Sequence, residues 1–348
     1  MARSMTAYRM IGWQQKPEFR EVPVPEPAAG EVRVKVGGNG LCHSDIGMMH
    51  MPQVPGWEMP FTLGHEIAGW VDAVGAGVVG MKEGDAVAVV APNSDGTCPF
   101  CRDGQDNACI AGGYGRGFGR DGGLAPYVLA KGNRELIPLK KLSPIDAGVL
   151  TDAGSTSYHA VKRVLPKLNP ESTAVVLGVG GLGSFAVQFL KAMSTARIIA
   201  VDMNPARLAY AKELGADLTL AGVGDATASE ILDLTEGYGA QAVLDFVGID
   251  ASIAAGLQAT RRTGSYALVG AGGGGYRQPW FFGLPRNGDV FTFQASDISD
   301  CREVLALAES GKIRVEVERF PFEKVAEAYE KMDSGKLRGR AVVLPPAV

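Results

Sequence analysis

Three residues far apart in the chain carry donor atoms of the kind that hold a reactive metal. They are Cys42 in Gly40-Leu41-Cys42-His43-Ser44-Asp45, His65 in Gly64-His65-Glu66-Ile67-Ala68-Gly69, and Asp152 in Leu150-Thr151-Asp152-Ala153-Gly154. A thiolate, an imidazole and a carboxylate suit zinc, and three protein ligands leave a fourth position open for substrate, as a catalytic ion requires. Singly, each has an ordinary reading: a lone cysteine is a small buried hydrophobe and a lone histidine a satisfied core side chain. A second cluster, Cys98-Pro99-Phe100-Cys101 followed by Cys109, lies in a β-rich stretch. A redox CxxC pair is expected beside a βαβ unit instead, so metal binding is the better reading. Cys301 stands alone and reads as a packed helix residue.

A different chemistry is written at Gly178-Val179-Gly180-Gly181-Leu182-Gly183. The first glycine makes a tight turn, the second admits a pyrophosphate to the backbone, and the third lets the following helix pack on the strand; the phosphate then meets the helix N-terminus. The run Ile198-Ile199-Ala200-Val201 ends in Asp202, at the distance where a carboxylate accepts ribose hydroxyls. Its charge repels a 2′-phosphate, which favours NAD over NADP, although Arg207 nearby is a cation that a phosphate could use. Val247, just past the strand Ala242 to Phe246, is a further cofactor-facing candidate.

Elements must bring these groups into place. Up to about Ala153 the chain alternates polar and apolar residues in short runs, such as Val32 to Val36 and Asp85 to Val89, broken by Pro and Gly turns. That is the texture of an all-β, partly barrel-like unit. From about Ser155 the pattern becomes strand then helix, which predicts a parallel sheet wrapped by helices, with room for six strands. The last fifty or so residues predict amphipathic helices near Cys301 to Ala308 and Phe322 to Met332 and a closing strand Arg340 to Leu344.

With 348 residues, the chain is long enough for two domains. Its net charge of -4 argues against a nucleic-acid or anionic-membrane surface and for a small-molecule partner. Met1 to Met5 lack the apolar core of a secretory signal, so a cytoplasmic location is expected. The uncharged stretch Ser172 to Leu190 approaches membrane-spanning length, but its glycines and Gln188 favour a buried strand turning into a helix.

On these motifs the sequence resembles the zinc-containing medium-chain alcohol dehydrogenases over nearly its whole length, with bacterial NAD-dependent secondary-alcohol dehydrogenases as the nearest group. The resemblance implies an α/β protein: a GroES-like β-rich catalytic domain at 1–154, a doubly wound (Rossmann) NAD-binding domain at 155–292, and a segment at 293–348 that returns to the first. It places the catalytic zinc on Cys42, His65 and Asp152, where many relatives carry cysteine at the third position. Glu66 becomes a neighbour able to approach the metal, and Asp45 a carboxylate that orients His65. It also implies a structural zinc held by Cys98, Cys101 and Cys109, with Asp95 in the place of the first cysteine.

The same resemblance gives Ser44 the role of taking the substrate proton. The outer relay histidine of some relatives falls on Gly47, leaving His50 as a sequence neighbour that could replace it. His43 and Arg340 match positions near the cofactor pyrophosphate. Trp57 and Phe282, with Tyr158 or Leu124, would line an apolar pocket for a secondary, apolar or aromatic alcohol or its ketone. Gly272 to Gly275 and Gln294 to Asp297 depart from the family pattern where subunit contacts and cofactor loops occur; a homodimer or homotetramer is expected. The rival readings are a polyol dehydrogenase of the same superfamily, a zinc-free quinone reductase, and a non-catalytic NAD- or zinc-binding relative.

Overall fold

The computed structural model describes residues 3–346, apart from the side chain of Asn133; Met1 and Ala2, part of the stretch read above against a signal, lie outside the described residues. The chain divides into two compact units, one made of Met1–Ser155 with Ala295–Val348, the other of Thr156–Gln294.

The first unit is mostly β. In the strand Glu31–Gly40 the alternating Val32, Val34 and Val36 point inward, while Arg33 and Lys35 point out. That period of two is what half-buried strands require. This strand pairs antiparallel with Glu66–Val74 and Tyr127–Lys131 and meets the closing strand Arg340–Leu344 at its far end. Ala86–Val89, Leu136–Pro138 and Val317–Pro321 complete the seven-stranded sheet. A smaller sheet runs Glu18–Pro23, Ser4–Met10, Phe61–Thr62. One core gathers Val32, Val34, Ile67, Val71, Val87 and Val89; a second packs Leu41, Met48, Phe61 and Leu63 against Phe322, Val325 and Tyr329. The returning segment thus supplies half of that second core. Its helices are Ile298–Glu309, with Cys301 fully buried, and Val325–Asp333.

The second unit is a six-stranded, wholly parallel sheet ordered Leu218–Ala221, Arg197–Asp202, Thr173–Leu177, Ala240–Asp245, Thr260–Leu268, Asp289–Thr292. The order reverses direction beside Thr173–Leu177, the topological switch where doubly wound sheets bind ligands. Every residue of that strand is buried, and the uncharged run continues as the helix Gly183–Met193. No helix among the described residues is long and apolar enough to cross a membrane.

A buried ion pair ties the first unit together near its metal loop. Arg116 Nη1 donates to Glu135 Oε2 at 2.7 Å, with both side chains almost wholly buried, and Lys131 N donates to the same oxygen at 2.7 Å. Burial pushes the Glu135 carboxyl up, but Arg116 and the Lys131 N–H outweigh it and hold the group below its ordinary value. A depressed carboxylate stabilises the fold above its unfolded pKa and loses that contribution as pH falls through its folded pKa. Glu135→Gln, which strands Arg116, should therefore cost about 3–5 kcal/mol at neutral pH. Denaturant titrations should show the gap from wild type narrowing below pH 4.5, the ordinary value of this group. A gap that is constant across that range contradicts the account.

Candidate active site

Cys42 caps the helix His43–His50, directly after the strand Glu31–Gly40. His65 and Glu66 open the paired strand Glu66–Val74, whose register sets Glu66 opposite Gly40. Asp152 precedes the helix Ala153–Val164. The strand pairing and these two chain turns bring ligand atoms of Cys42, His65, Glu66 and Asp152 within 4.8 Å of one another. His65 Nε2 stands 3.3 Å from Asp152 Oδ2. Two ligands on one tetrahedral ion, each about 2.0–2.2 Å from it, are separated by about this distance. Buried polar atoms are also left over: Glu66 Oε2 has no hydrogen-bond partner within the chain. Soft, borderline and hard donors converging around an unsatisfied carboxylate fit zinc.

The supporting groups are fully buried. Asp45 Oδ2 accepts from Cys42 N and from the Tyr329 hydroxyl, each at 3.1 Å, and Asp45 Oδ1 lies 3.1 Å from His65 Nδ1. The imidazole is thereby held with Nε2 toward Asp152. Arg340 donates to Glu66 Oε1 and, at 2.7 Å, to the carbonyl of Leu41. Burial disfavours a charged His65, yet Asp45 and Asp152 more than compensate and raise its pKa well above the ordinary imidazole value. Burial also pushes Glu66 up to about 7, against the pull of Arg340. Without metal, the group holds protons where a divalent ion would sit.

The second cluster is equally local. Asp95, Cys98, Cys101 and Cys109 present ligand atoms within 4.8 Å of one another, the cysteines are free, and Cys98 Sγ lies 3.9 Å from Cys109 Sγ. That spacing suits two thiolates on one ion with bonds of about 2.3 Å. Backbone N–H groups of Cys98 and Thr97 hold the Asp95 carboxyl well below the usual range, so it is an ionised acceptor. Asp95 N and Ala111 N donate to Cys109 Sγ, and Cys101 N donates to Cys98 Sγ.

In the second unit, Gly178 has φ +82°, a conformation that favours glycine, and a side chain there would strike Val247 at 2.6 Å. Gly183 lies so close to the Gly178 carbonyl that a Cβ would come within 1.9 Å, while the nearest atom to a Cβ on Gly180 is 3.7 Å away. The turn is thus tight at both ends and open in the middle, where Val179, Gly180, Gly181 and Leu182 can admit a phosphate. No side chain caps the helix Gly183–Met193; Ser184 N donates to the Gly180 carbonyl and Phe185 N to that of Leu182, so the turn itself closes the helix start. Asp202, nearly buried, accepts Val179 N and Asn204 N at 2.8 Å each, and Arg207 Nη1 stands 3.8 Å from it.

Comparison with known proteins agrees with this geometry. The family profile of the alcohol dehydrogenase GroES-like domain matches residues 28–141, and that of the zinc-binding dehydrogenase matches residues 181–310. The NAD-dependent alcohol dehydrogenase of Sulfurisphaera tokodaii is 34% identical over 353 residues, spanning 98% of this chain and 100% of that one. The chain belongs to the zinc-containing medium-chain alcohol dehydrogenases. It is an oxidoreductase of that family. The D-arabinose 1-dehydrogenase (NADP(+)) of Saccharolobus solfataricus is 33% identical over 331 residues, 94% of each chain. The crystal structure of the alcohol dehydrogenase from Aeropyrum pernix aligns with a TM-score of 0.91 at 32% identity, covering 98% of this chain and 100% of that one.

Within this dehydrogenase, the remaining expected residues are variously buried and exposed. Arg340 is 4% exposed, and its Nη2 is engaged by Glu66 and the Leu41 carbonyl, since the acid beside the metal donors needs a buried counter-charge. Leu124 is wholly buried in the second core and is not a pocket wall. Tyr158 is buried in the cofactor unit, packed on Phe189 at 5.2 Å. Phe282 is 84% exposed, in an aromatic patch with Trp280 and Phe281. Trp57 packs edge-on against Phe118, whose ring lies 4.7 Å from that of His65. His43, Ser44 and His50 are exposed on one helix.

Sequence reasoning missed Phe118, although an aromatic inside Gly115-Arg116-Gly117-Phe118-Gly119 is a visible signal. It also missed Asp245, which accepts Val247 N, Gly248 N and the Tyr266 hydroxyl at 2.7–2.9 Å and so fixes the turn that touches Gly178. The donor sets predict about two zinc ions per chain, falling to about one in Cys98→Ser, by elemental analysis of protein purified without chelator. Unchanged content in Cys98→Ser rejects the loop site.

Proposed function

We propose that the chain interconverts a secondary alcohol bearing an apolar or aromatic group and its ketone, with NAD as hydride acceptor and zinc on Cys42, His65 and Asp152. The observation that carries this reading is the convergence of those donors, with Glu66, in one unit while the other unit bears the glycine turn and Asp202. When bound, zinc supplies a Lewis acid that lowers the pKa of an alcohol, and NAD supplies the hydride acceptor. The chain's own residues do the rest. Asp45 holds the His65 ring, and Arg340 keeps Glu66 neutralised at Oε1. Ser44 Oγ, exposed on the first turn of its helix, takes the substrate proton, and the exposed His50 at the end of that helix passes it to water. Trp57 and Phe118 form an aromatic wall beside His65, which suits a flat or apolar substituent.

Asp202 supports NAD: its carboxylate is fixed by two backbone N–H groups and retains lone pairs for ribose hydroxyls. Gly178, Val179, Gly180, Gly181, Leu182, Gly183 and Val247 would cradle the cofactor, with Arg207 as a flanking polar group. The exposed Trp280, Phe281 and Phe282 lie shortly before Asp289–Thr292, the last strand of the sheet, which supports self-association as a homodimer or homotetramer. Five free cysteines suit a cytoplasmic location.

The likeness to a D-arabinose dehydrogenase favours one second reading, an enzyme acting on aldoses or polyols. A panel of aromatic and aliphatic secondary alcohols, polyols and aldoses, followed as NAD reduction, separates the two. Aromatic secondary alcohols should lead, and Phe118→Ala should raise their KM by roughly tenfold while sparing short alcohols. Faster turnover of aldoses would transfer the assignment to the second reading, and full activity in zinc-free protein would reject the metal. In the same assay, Asp202→Ser should erode the preference for NAD over NADP by about tenfold or more, the value of a hydrogen bond to a charged group. A wild type that prefers NADP overturns the role of Asp202.

A further inference from the structure

Asp152 is held at a turn that side chains brace from a remote segment. Thr151 and Asp152 join the 3-10 turn Ala147–Leu150 to the helix Ala153–Val164. The wholly buried Thr151 donates through Oγ1 to the Gly148 carbonyl at 2.8 Å, which fixes one side of the residue. Its own carbonyl, part of the peptide that carries Asp152, accepts two further donors: Ser155 Oγ at 2.8 Å and Cys301 Sγ at 3.5 Å. Ser155 Oγ also lies 3.3 Å from the Asp152 carbonyl. Ser296 donates to Ser155 Oγ at 2.8 Å and stands 3.7 Å from Cys301 Sγ. Ser155, Ser296 and Cys301 are all fully buried.

A serine bonding back to the carbonyl four residues earlier is ordinary helix behaviour. Two features here go beyond it. Ser296 and Cys301 approach from the returning segment; Ser155 and Cys301 both end on the Thr151 carbonyl, and Ser296 backs the Ser155 hydroxyl that does so. Burying two hydroxyls and a thiol is costly unless each is bonded, so the arrangement is rigid once formed. An aspartate is a harder ligand than the cysteine common at this position, carries its donor one atom further from the backbone, and can choose between two oxygens. Its backbone must be fixed if one oxygen is to stay 3.3 Å from His65 Nε2.

We propose that Ser155, Ser296 and Cys301 are positioning residues for Asp152: by fixing the Thr151 carbonyl they hold the peptide that presents this carboxylate to the catalytic metal. The inference rests on the reading of Asp152 as a metal ligand. Partners of this kind, one step removed from the metal, alter metal affinity by about 10–100-fold when removed.

The test is chelator competition on the zinc-loaded full chain, with thermal midpoints measured in parallel. Ser155→Ala and Ser296→Ala should each weaken the catalytic zinc by about tenfold or more, while the zinc at Asp95, Cys98, Cys101 and Cys109 is released as in wild type. Cys301→Ser, which keeps a donor, should stay near wild type, and Cys301→Ala should fall between; these two milder variants decide the matter if a serine variant fails to fold. Variants that melt earlier yet bind the catalytic zinc as wild type does would show a purely structural role and overturn the proposal. Equal acceleration of release from both sites would also overturn it, as general loosening. A wild type that holds zinc only in the cysteine loop overturns the reading of Asp152, and the proposal with it.

Discussion

The structure around Cys42 and His65 is governed by the cost of burying acid. Asp45 and Glu66 have no exposed surface, and Asp152 joins them at one point. Taking carboxylates out of water costs several kcal/mol each unless charge and hydrogen bonds are returned, on the order of what a whole domain has to spare. Arg340 returns one charge, from a strand almost three hundred residues along the chain, and thereby fixes the closing strand Arg340–Leu344 against Glu31–Gly40. Asp45 accepts instead an N–H and a tyrosine hydroxyl at Oδ2, and its Oδ1 stands 3.1 Å from His65 Nδ1. What is left over is a demand for positive charge between His65, Cys42 and Asp152, which the raised pKa of His65 and the value near 7 for Glu66 express in the metal-free chain. A divalent cation answers the same demand without needing protons, which is why metal loading and proton release should be coupled here.

That arrangement depends on backbone coming closer than side chains permit. A Cβ at Gly40 would lie 2.0 Å from Glu66 Oε2, and one at Gly148 would lie 2.4 Å from the Glu66 carbonyl. Both glycines therefore make room for the buried acid, one at the end of the strand it pairs with and one in the turn that leads to Asp152. Replacing either would displace the carboxylate from Arg340 as well as crowd the strand. The glycines beside the metal thus act by admitting side chains, whereas those at Gly178 and Gly183 act by shaping a turn.

Much of this was legible in the sequence, for identifiable reasons. The run Thr173 to Leu177 is apolar and bounded by turn residues, so the strand, the glycine turn and the helix after it follow from local chemistry. Cys42, His65 and Asp152 could be grouped because their donor types are rare in combination. The pairing of Arg340 with Glu66 was not legible, because a sequence shows a cation but not the buried acid that engages it. Phe282 and Tyr158 were assigned to a pocket by position alone; their exposure and burial depend on tertiary packing, which no local pattern encodes. The edge strands Leu218–Ala221 and Asp289–Thr292 are only four residues long and interrupted by polar residues, so neither shows the continuous apolar run that marked the central strands.

The two units reach similar solutions to one problem, the fixing of a chemically active backbone. In the first, Asp45 binds Cys42 N and the Tyr329 hydroxyl, and so sets the cap residue whose thiol faces the metal. In the second, Asp245 binds Val247 N, Gly248 N and the Tyr266 hydroxyl, and so sets the turn that packs against Gly178. Each aspartate is fully buried, and each accepts from a phenol and from peptide N–H, one for Asp45 and two for Asp245. Burial drives each phenol away from ionisation, and the carboxylate it serves adds to that, so the phenol remains a donor. A phenol and a peptide N–H fix the aspartate while leaving the net charge of each site to the residues that meet the ligand.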